Sequence, residues 1–185
     1  MSIRRRQLLG RGLMLVLAGF GRRVWAQQQA ITLRFRPLAR PVVVPLENLA
    51  AAWRASPFVA EGVTLSSAAT PNQPIRVSGM VVRTSAGDHD PDRFTAVCVR
   101  CPHEGCDVTL LSDPNRLPQE VKDEIGHAVE HAVYVCPCHN STFKAEDGER
   151  LAGPAPRGLY RFRVTSVSDA AVEIAEVEED VLIFV

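Results

Sequence analysis

Two short segments hold most of the cysteine and histidine side chains: Cys101-Pro102-His103-Glu104-Gly105-Cys106 and Cys136-Pro137-Cys138-His139-Asn140-Ser141. Each supplies a thiol, an imidazole and a second sulfur, and together they take four of the five cysteines in the chain. A thiolate is a soft anionic donor and an imidazole a neutral one, and two of each close a tetrahedral zinc site. The same donors can instead hold a [2Fe-2S] cluster in which two histidines replace two cysteines on one iron. Spacing alone leaves both chemistries open. Cys98 adds to the zinc alternative, because Cys98-Val99-Arg100-Cys101 is itself a C-x-x-C pair. Its alternation with Phe94 and Ala96 reads instead as a thiol on the core face of a strand.

Taken in order, Cys-x-His-x-Gly-Cys, Cys-Pro-Cys-His-x-Ser and Gly153-Pro154-Ala155-Pro156 make the stretch from about Val97 to Pro156 resemble the Rieske family. The resemblance implies one [2Fe-2S] cluster per chain, with Cys101 and Cys136 on the inner iron and His103 and His139 on the outer one. It further implies a disulfide between Cys106 and Cys138, Ser141 as a cluster-contacting residue, and Gly153 to Pro156 as a proline loop over the site. The implied fold is an all-β, antiparallel β-sandwich with a cluster-binding subdomain and one short inserted helix. Neutral imidazoles on one iron leave the cluster less negative, so such centres reach potentials of about −150 to +300 mV. A histidine nitrogen not bound to iron can also take up a proton, which couples reduction to protonation.

Three residues depart from the pattern of the quinol-oxidising members. Glu104 stands where those members usually carry an apolar leucine, which places a carboxylate beside the expected quinol face. Asn140 replaces the common glycine, and Phe143 occupies the place of a tyrosine whose hydroxyl bonds a cysteine sulfur in many high-potential relatives. Hydrogen bonds to the sulfurs stabilise the reduced cluster, so the missing hydroxyl predicts a potential below that of relatives carrying both serine and tyrosine. A redox titration that returned a value at the top of the family range would contradict this expectation.

The remaining sequence has to position these loops. At 185 residues, with 46% hydrophobic and 23% charged residues, the chain suits one globular domain plus a short extension. Lys+Arg and Asp+Glu both number 21, so no global field favours nucleic acid. Residues 1–26 read as a twin-arginine-like signal or N-terminal anchor: Arg4-Arg5-Arg6 precedes an apolar run, Gly12 to Phe20, that is far shorter than the roughly 20 residues of a membrane-spanning helix. Residues 27–185 form the expected Rieske domain, with the cluster-binding subdomain at about 97–157. Alternation at Ile31, Leu33 and Phe35, at Ile75 and Val77, and from Phe94 to Val99 predicts strands, as do Leu159 to Val167, Val172 to Ile174 and Val181 to Val185.

Between the two boxes, Leu117, Val121 and Ile125 are spaced by four, Pro118 fits a first helical position and Gly126 a stop, which predicts the inserted helix as a partner-docking element. His127 and His131 are also four apart, but Gly126 breaks the helix that would align them, so solvated or locally bonded rings are expected. His89 lies in an Asp-rich turn and is expected at the surface.

The functional expectation is an electron-transfer subunit in an oxidising compartment, on the periplasmic side of the cytoplasmic membrane. The donor is a quinol or a redox enzyme, the acceptor a cytochrome c-like protein, and the setting a larger complex with membrane association through the N-terminus. Within the resemblance, the iron-sulfur subunit of a quinol:cytochrome c oxidoreductase of the cytochrome bc type leads. The small subunit of a periplasmic molybdenum oxidoreductase, of the arsenite-oxidising kind, is the alternative. A zinc or disulfide module without redox activity is the reading from another class. A Rieske oxygenase needs a further mononuclear-iron domain for which the chain is too short.

Overall fold

The computed structural model describes residues 33–64 and 74–179. The N-terminal signal segment and the strand expected at Val181 to Val185 lie outside the described residues, as does Ile31. Ten strands and one α-helix follow in order: β1 Phe35–Pro45, β2 Ala55–Thr64, β3 Pro74–Arg83, β4 Phe94–Cys98, β5 Thr109–Leu111, α1 Gln119–Ile125, β6 Val133–Val135, β7 Thr142–Lys144, β8 Arg150–Ala152, β9 Arg161–Val167 and β10 Ala171–Glu178. They make two sheets, one of six strands in the order β1-β10-β9-β4-β3-β2 and one of four in the order β5-β6-β7-β8. All pairings are antiparallel, so the chain forms the all-β architecture that its alternating pattern anticipates.

The smaller sheet is an excursion from the larger one. β4 pairs with β9 through Ala96 opposite Phe162, and everything between these strands forms the second sheet and its loops. Where the excursion begins and ends, the Cys98 N–H donates to the Tyr160 carbonyl at 2.8 Å. Both loops that carry the Cys and His residues therefore hang from paired strands.

Period-two alternation sorts β4 between two cores. Phe94, Ala96 and Cys98 face the interior of the six-stranded sheet, with Val81, Leu49 and Ile174. Val97 turns the other way and meets Val82, Tyr134, Phe143, Leu159, Cys101 and Cys136 in a second core. This second core is the floor of the loop region, and its large apolar side chains are fully buried. Gly62 brings β2 close to β1: its φ is +71°, and a Cβ there would come to 3.1 Å from the Ala39 Cβ.

The inserted helix is seven residues long, too short to persist alone, and is held by packing. Leu117, Val121 and Ile125 bury against Val133 and Ala152 on the outer face of the four-stranded sheet. Pro118 caps the helix rather than occupying its first turn, and Gly126 ends it at φ 73° with its N–H returned to the Lys122 carbonyl. Among the described residues no helix is long and apolar enough to cross a membrane.

Candidate metal centre

The first box is a tight loop closed by two backbone bonds. The Cys101 N–H donates to the Cys106 carbonyl at 2.9 Å and the Gly105 N–H to the Cys101 carbonyl at 2.9 Å. Arg100 braces it from outside, donating to the Gly105 carbonyl at 3.0 Å and pairing with Asp107 at 3.2 Å. The second box repeats the construction, with Cys136 N–H to the Ser141 carbonyl at 2.8 Å and Asn140 N–H to the Cys136 carbonyl at 3.0 Å. The fifth position of each loop is left-handed, with φ 76° at Gly105 and 58° at Asn140. Asparagine is among the few residues that tolerate this region, which is why it can replace glycine without changing the turn.

Cys106 and Cys138 form a disulfide that ties the loops together, with their Cα atoms 6.6 Å apart. Cys101 and Cys136 remain as free thiols, each only 1% exposed. Burial pushes the Cys101 thiol above its ordinary value, and the neighbouring Cys136 sulfur adds to the shift. The polar His103 backbone N–H and Ser141 hydroxyl near the sulfur pull it in the opposite direction. Two thiols side by side in an apolar pocket cannot both ionise without a cation, and a metal that displaces their protons removes that obstacle.

The two imidazoles meet at the outer end of the site, with ring centroids 4.9 Å apart in an edge-to-face arrangement. His103 Nδ1 is buried and lacks a hydrogen-bond partner, a costly state for a ring nitrogen unless it ligates a metal. His139 is about half exposed, at 47%, and its Nδ1 stands 3.6 Å from Glu104 Oε2. One ligand atom from each of His103, Glu104 and His139 falls within 4.8 Å of the others. The pocket thus pairs two buried sulfurs with two converging imidazoles, and this donor set fits a cluster with cysteines on one iron and histidines on the other.

The proline loop closes the site from the side. The Ala155 N–H donates to Ser141 Oγ at 3.1 Å, and Ser141 is completely buried. Gly153 has φ +85°, and a Cβ there would stand 2.5 Å from the Ser141 Cα, so only glycine permits this approach. The far end of the loop is anchored by Arg157, which pairs with the buried Glu178 of β10 and lies over the Tyr160 ring at 4.1 Å. Phe143, at 0% exposure, pairs across β6 and β7 with Tyr134, whose hydroxyl is buried in apolar surroundings and whose acidity is suppressed by that burial.

Cys98 takes no part in this site. It packs with Phe94 and Ala96 in the other core, and burial pushes its thiol up to about 11. Its C-x-x-C spacing with Cys101 therefore places the two sulfurs in separate cores. His127 bonds locally, its Nδ1 lying 3.0 Å from the Ile125 carbonyl. His131 is exposed, as expected of a solvated ring, and in addition stacks on Trp53 with centroids 4.5 Å apart. Trp53 holds φ 63° while doing so, and no local signal marks either residue for this contact. His89 is exposed, as expected, and faces Asp169 at 3.1 Å.

Residues 64–167 match the Rieske [2Fe-2S] domain, and the chain belongs to that family. It is accordingly an iron-sulfur electron-transfer protein with a Rieske-type [2Fe-2S] cluster as its cofactor. No curated protein matches the chain.

Proposed function

We propose that this protein is the Rieske subunit of a bc-type quinol:cytochrome c oxidoreductase, exported to the periplasmic side of the cytoplasmic membrane. Cys101 and Cys136 hold the inner iron, and His103 and His139 hold the outer one. The cluster, when bound, supplies a one-electron couple. The chain's own residues set the conditions for its use. Cys101 and Cys136 keep the inner end dry, the buried Ser141 ties the second loop to the proline loop, and His139 presents a half-exposed ring through which a donor can dock and pass a proton.

The observation that carries this reading is the disulfide Cys106–Cys138 between the two loops, beside an accessible His139. A disulfide suits an oxidising compartment and holds the loops in register. Purification of the native protein from membranes tests the assignment. Co-purification with a b-type and a c-type cytochrome, and quinol-dependent reduction of the centre, are expected. Release of the protein by a salt wash, free of cytochrome b, would overturn it.

A second reading rests on the Glu104 carboxylate, 3.6 Å from His139 Nδ1. A charged group beside the exposed histidine disfavours an apolar quinol and supports direct contact with a soluble redox partner. The small subunit of a periplasmic molybdenum oxidoreductase fits that chemistry. Co-purification with a molybdenum-containing subunit in the salt-released fraction would select it.

A further inference from the structure

Gly153 opens the proline loop, and side chains from two different elements hold its backbone groups. Its N–H donates to Oε1 of Glu124, on the inserted helix, at 2.8 Å, and its carbonyl accepts from Arg150 Nη1 at 2.5 Å. Glu124 is exposed, while Val121 and Ile125 on the same helix are buried against the four-stranded sheet. The helix body is therefore fixed by its apolar face, and the carboxylate reaches from it to the loop. Arg150 belongs to β8, the edge strand of the same sheet.

Two residues beyond Gly153, the Ala155 N–H donates to Ser141 Oγ. Ser141 is completely buried in the second cluster loop. A chain of contacts thus runs from Glu124 through Gly153 and Ala155 to Ser141, between Cys136 and the proline loop. Hydrogen bonds linked in this way polarise one another, so a hydroxyl that accepts from an N–H becomes a better donor. Where the loop moves away, the Ser141 hydroxyl loses its incoming bond and becomes a weaker donor within the site.

We propose that Glu124 is a positioning residue for the redox centre: by accepting the Gly153 N–H it holds the proline loop against the second cluster loop, where the Ala155 N–H meets Ser141 Oγ. The inserted helix is then an internal brace of the centre. This role rests on the reading that Cys101, His103, Cys136 and His139 hold the cluster.

The test uses the intact, cluster-loaded chain and measures reduction potential, the g-values of the reduced centre and the rate of bleaching in air. E124A is expected to lower the potential, shift the g-values and bleach several-fold faster. E124Q keeps an oxygen acceptor for the Gly153 N–H and is expected to restore wild-type behaviour. V121A loosens the same helix without touching the loop, and is expected to lower the melting temperature while leaving the potential in place. An E124A protein with wild-type potential and bleaching would overturn the proposal, as would an equal shift in V121A or a failure of E124Q to rescue. Iron and acid-labile sulfide are measured in every sample. A wild-type chain lacking both defeats the ligand assignment, whereas full content with an unmoved E124A potential defeats the role of Glu124 alone.

Discussion

Three loops around the small sheet share one backbone design, and two of them carry the cysteines and histidines proposed to hold the cluster. In residues 101–106, 136–141 and 144–149 the first N–H bonds the sixth carbonyl, and the fifth N–H returns to the first carbonyl. The fifth residue is left-handed in each: Gly105, Asn140 and Gly148, with φ 76°, 58° and 73°. The third loop begins with Lys144 where the others begin with a cysteine, and it closes with an exposed Lys144–Glu149 pair at 2.5 Å. The comparison separates scaffold from chemistry. The turn is a general way to leave and re-enter a short strand, and the site arises where thiol and imidazole are mounted on it and two copies are brought face to face.

The sharpest way to break that comparison is to unlink the two loops that carry the cysteines and histidines. C138A removes a cross-link between residues separated by 32 positions, and chain entropy puts the loss at about 3–4 kcal/mol. Chemical denaturation under oxidising conditions measures it, and little change would mean that the loops are held by their backbone bonds alone.

G148A comes next. Its φ is +73°, and the new Cβ would meet Val97 Cγ1 at 3.1 Å and Leu159 Cβ at 3.4 Å. A cost of about 1–2 kcal/mol is expected from the left-handed backbone, and iron content should be retained because this loop contains none of the proposed ligands.

Asn140 allows a gentler version of the same test. N140A is expected to cost about 1 kcal/mol, and N140G to be close to neutral, since asparagine already tolerates the left-handed region. Equal stability of N140A and wild type would show that the positive φ is not needed there.

The smallest effect belongs to the pair that closes the ligand-free loop. Lys144 bonding and charge hold the Glu149 carboxyl below its ordinary value, and Glu149 raises Lys144 in return. A lowered carboxylate stabilises the fold at pH above its unfolded-state value, and that contribution fades as the pH falls through the folded-state value. The raised lysine contributes below its unfolded-state value and loses its part as the pH climbs through the folded-state one. Both groups are exposed, so E149Q should cost no more than about 0.5 kcal/mol near neutral pH, and less in high salt. A thermal melt series across acidic pH checks it: the difference between E149Q and wild type should vanish on the acid side.

Much of the site could be read along the chain because its signals are local. Ligand spacing, the Gly-Pro-Ala-Pro run and the alternation from Phe94 to Cys98 each lie within a few residues. The same holds for α1, where the spacing of Leu117, Val121 and Ile125 and the Gly126 stop placed the helix to within a residue or so. What could not be read depends on long-range contact. Glu124 carries no mark in the sequence that distinguishes it from Glu120 or Asp123, and its bond to Gly153 spans 29 residues. The Arg157–Glu178 anchor and the His131–Trp53 stack likewise join segments distant in sequence. Asn140 is the intermediate case: its departure from glycine was visible, but its harmlessness became evident only from the left-handed φ it shares with Gly105.

The central claim is that the two facing loops hold an iron-sulfur cluster through Cys101, His103, Cys136 and His139. Metal and acid-labile sulfide analysis of the purified chain tests it most directly, with H139A beside the wild type. The account predicts iron and sulfide in equal amounts, about two of each per chain, and their loss in H139A. Zinc without sulfide in the wild type would contradict it.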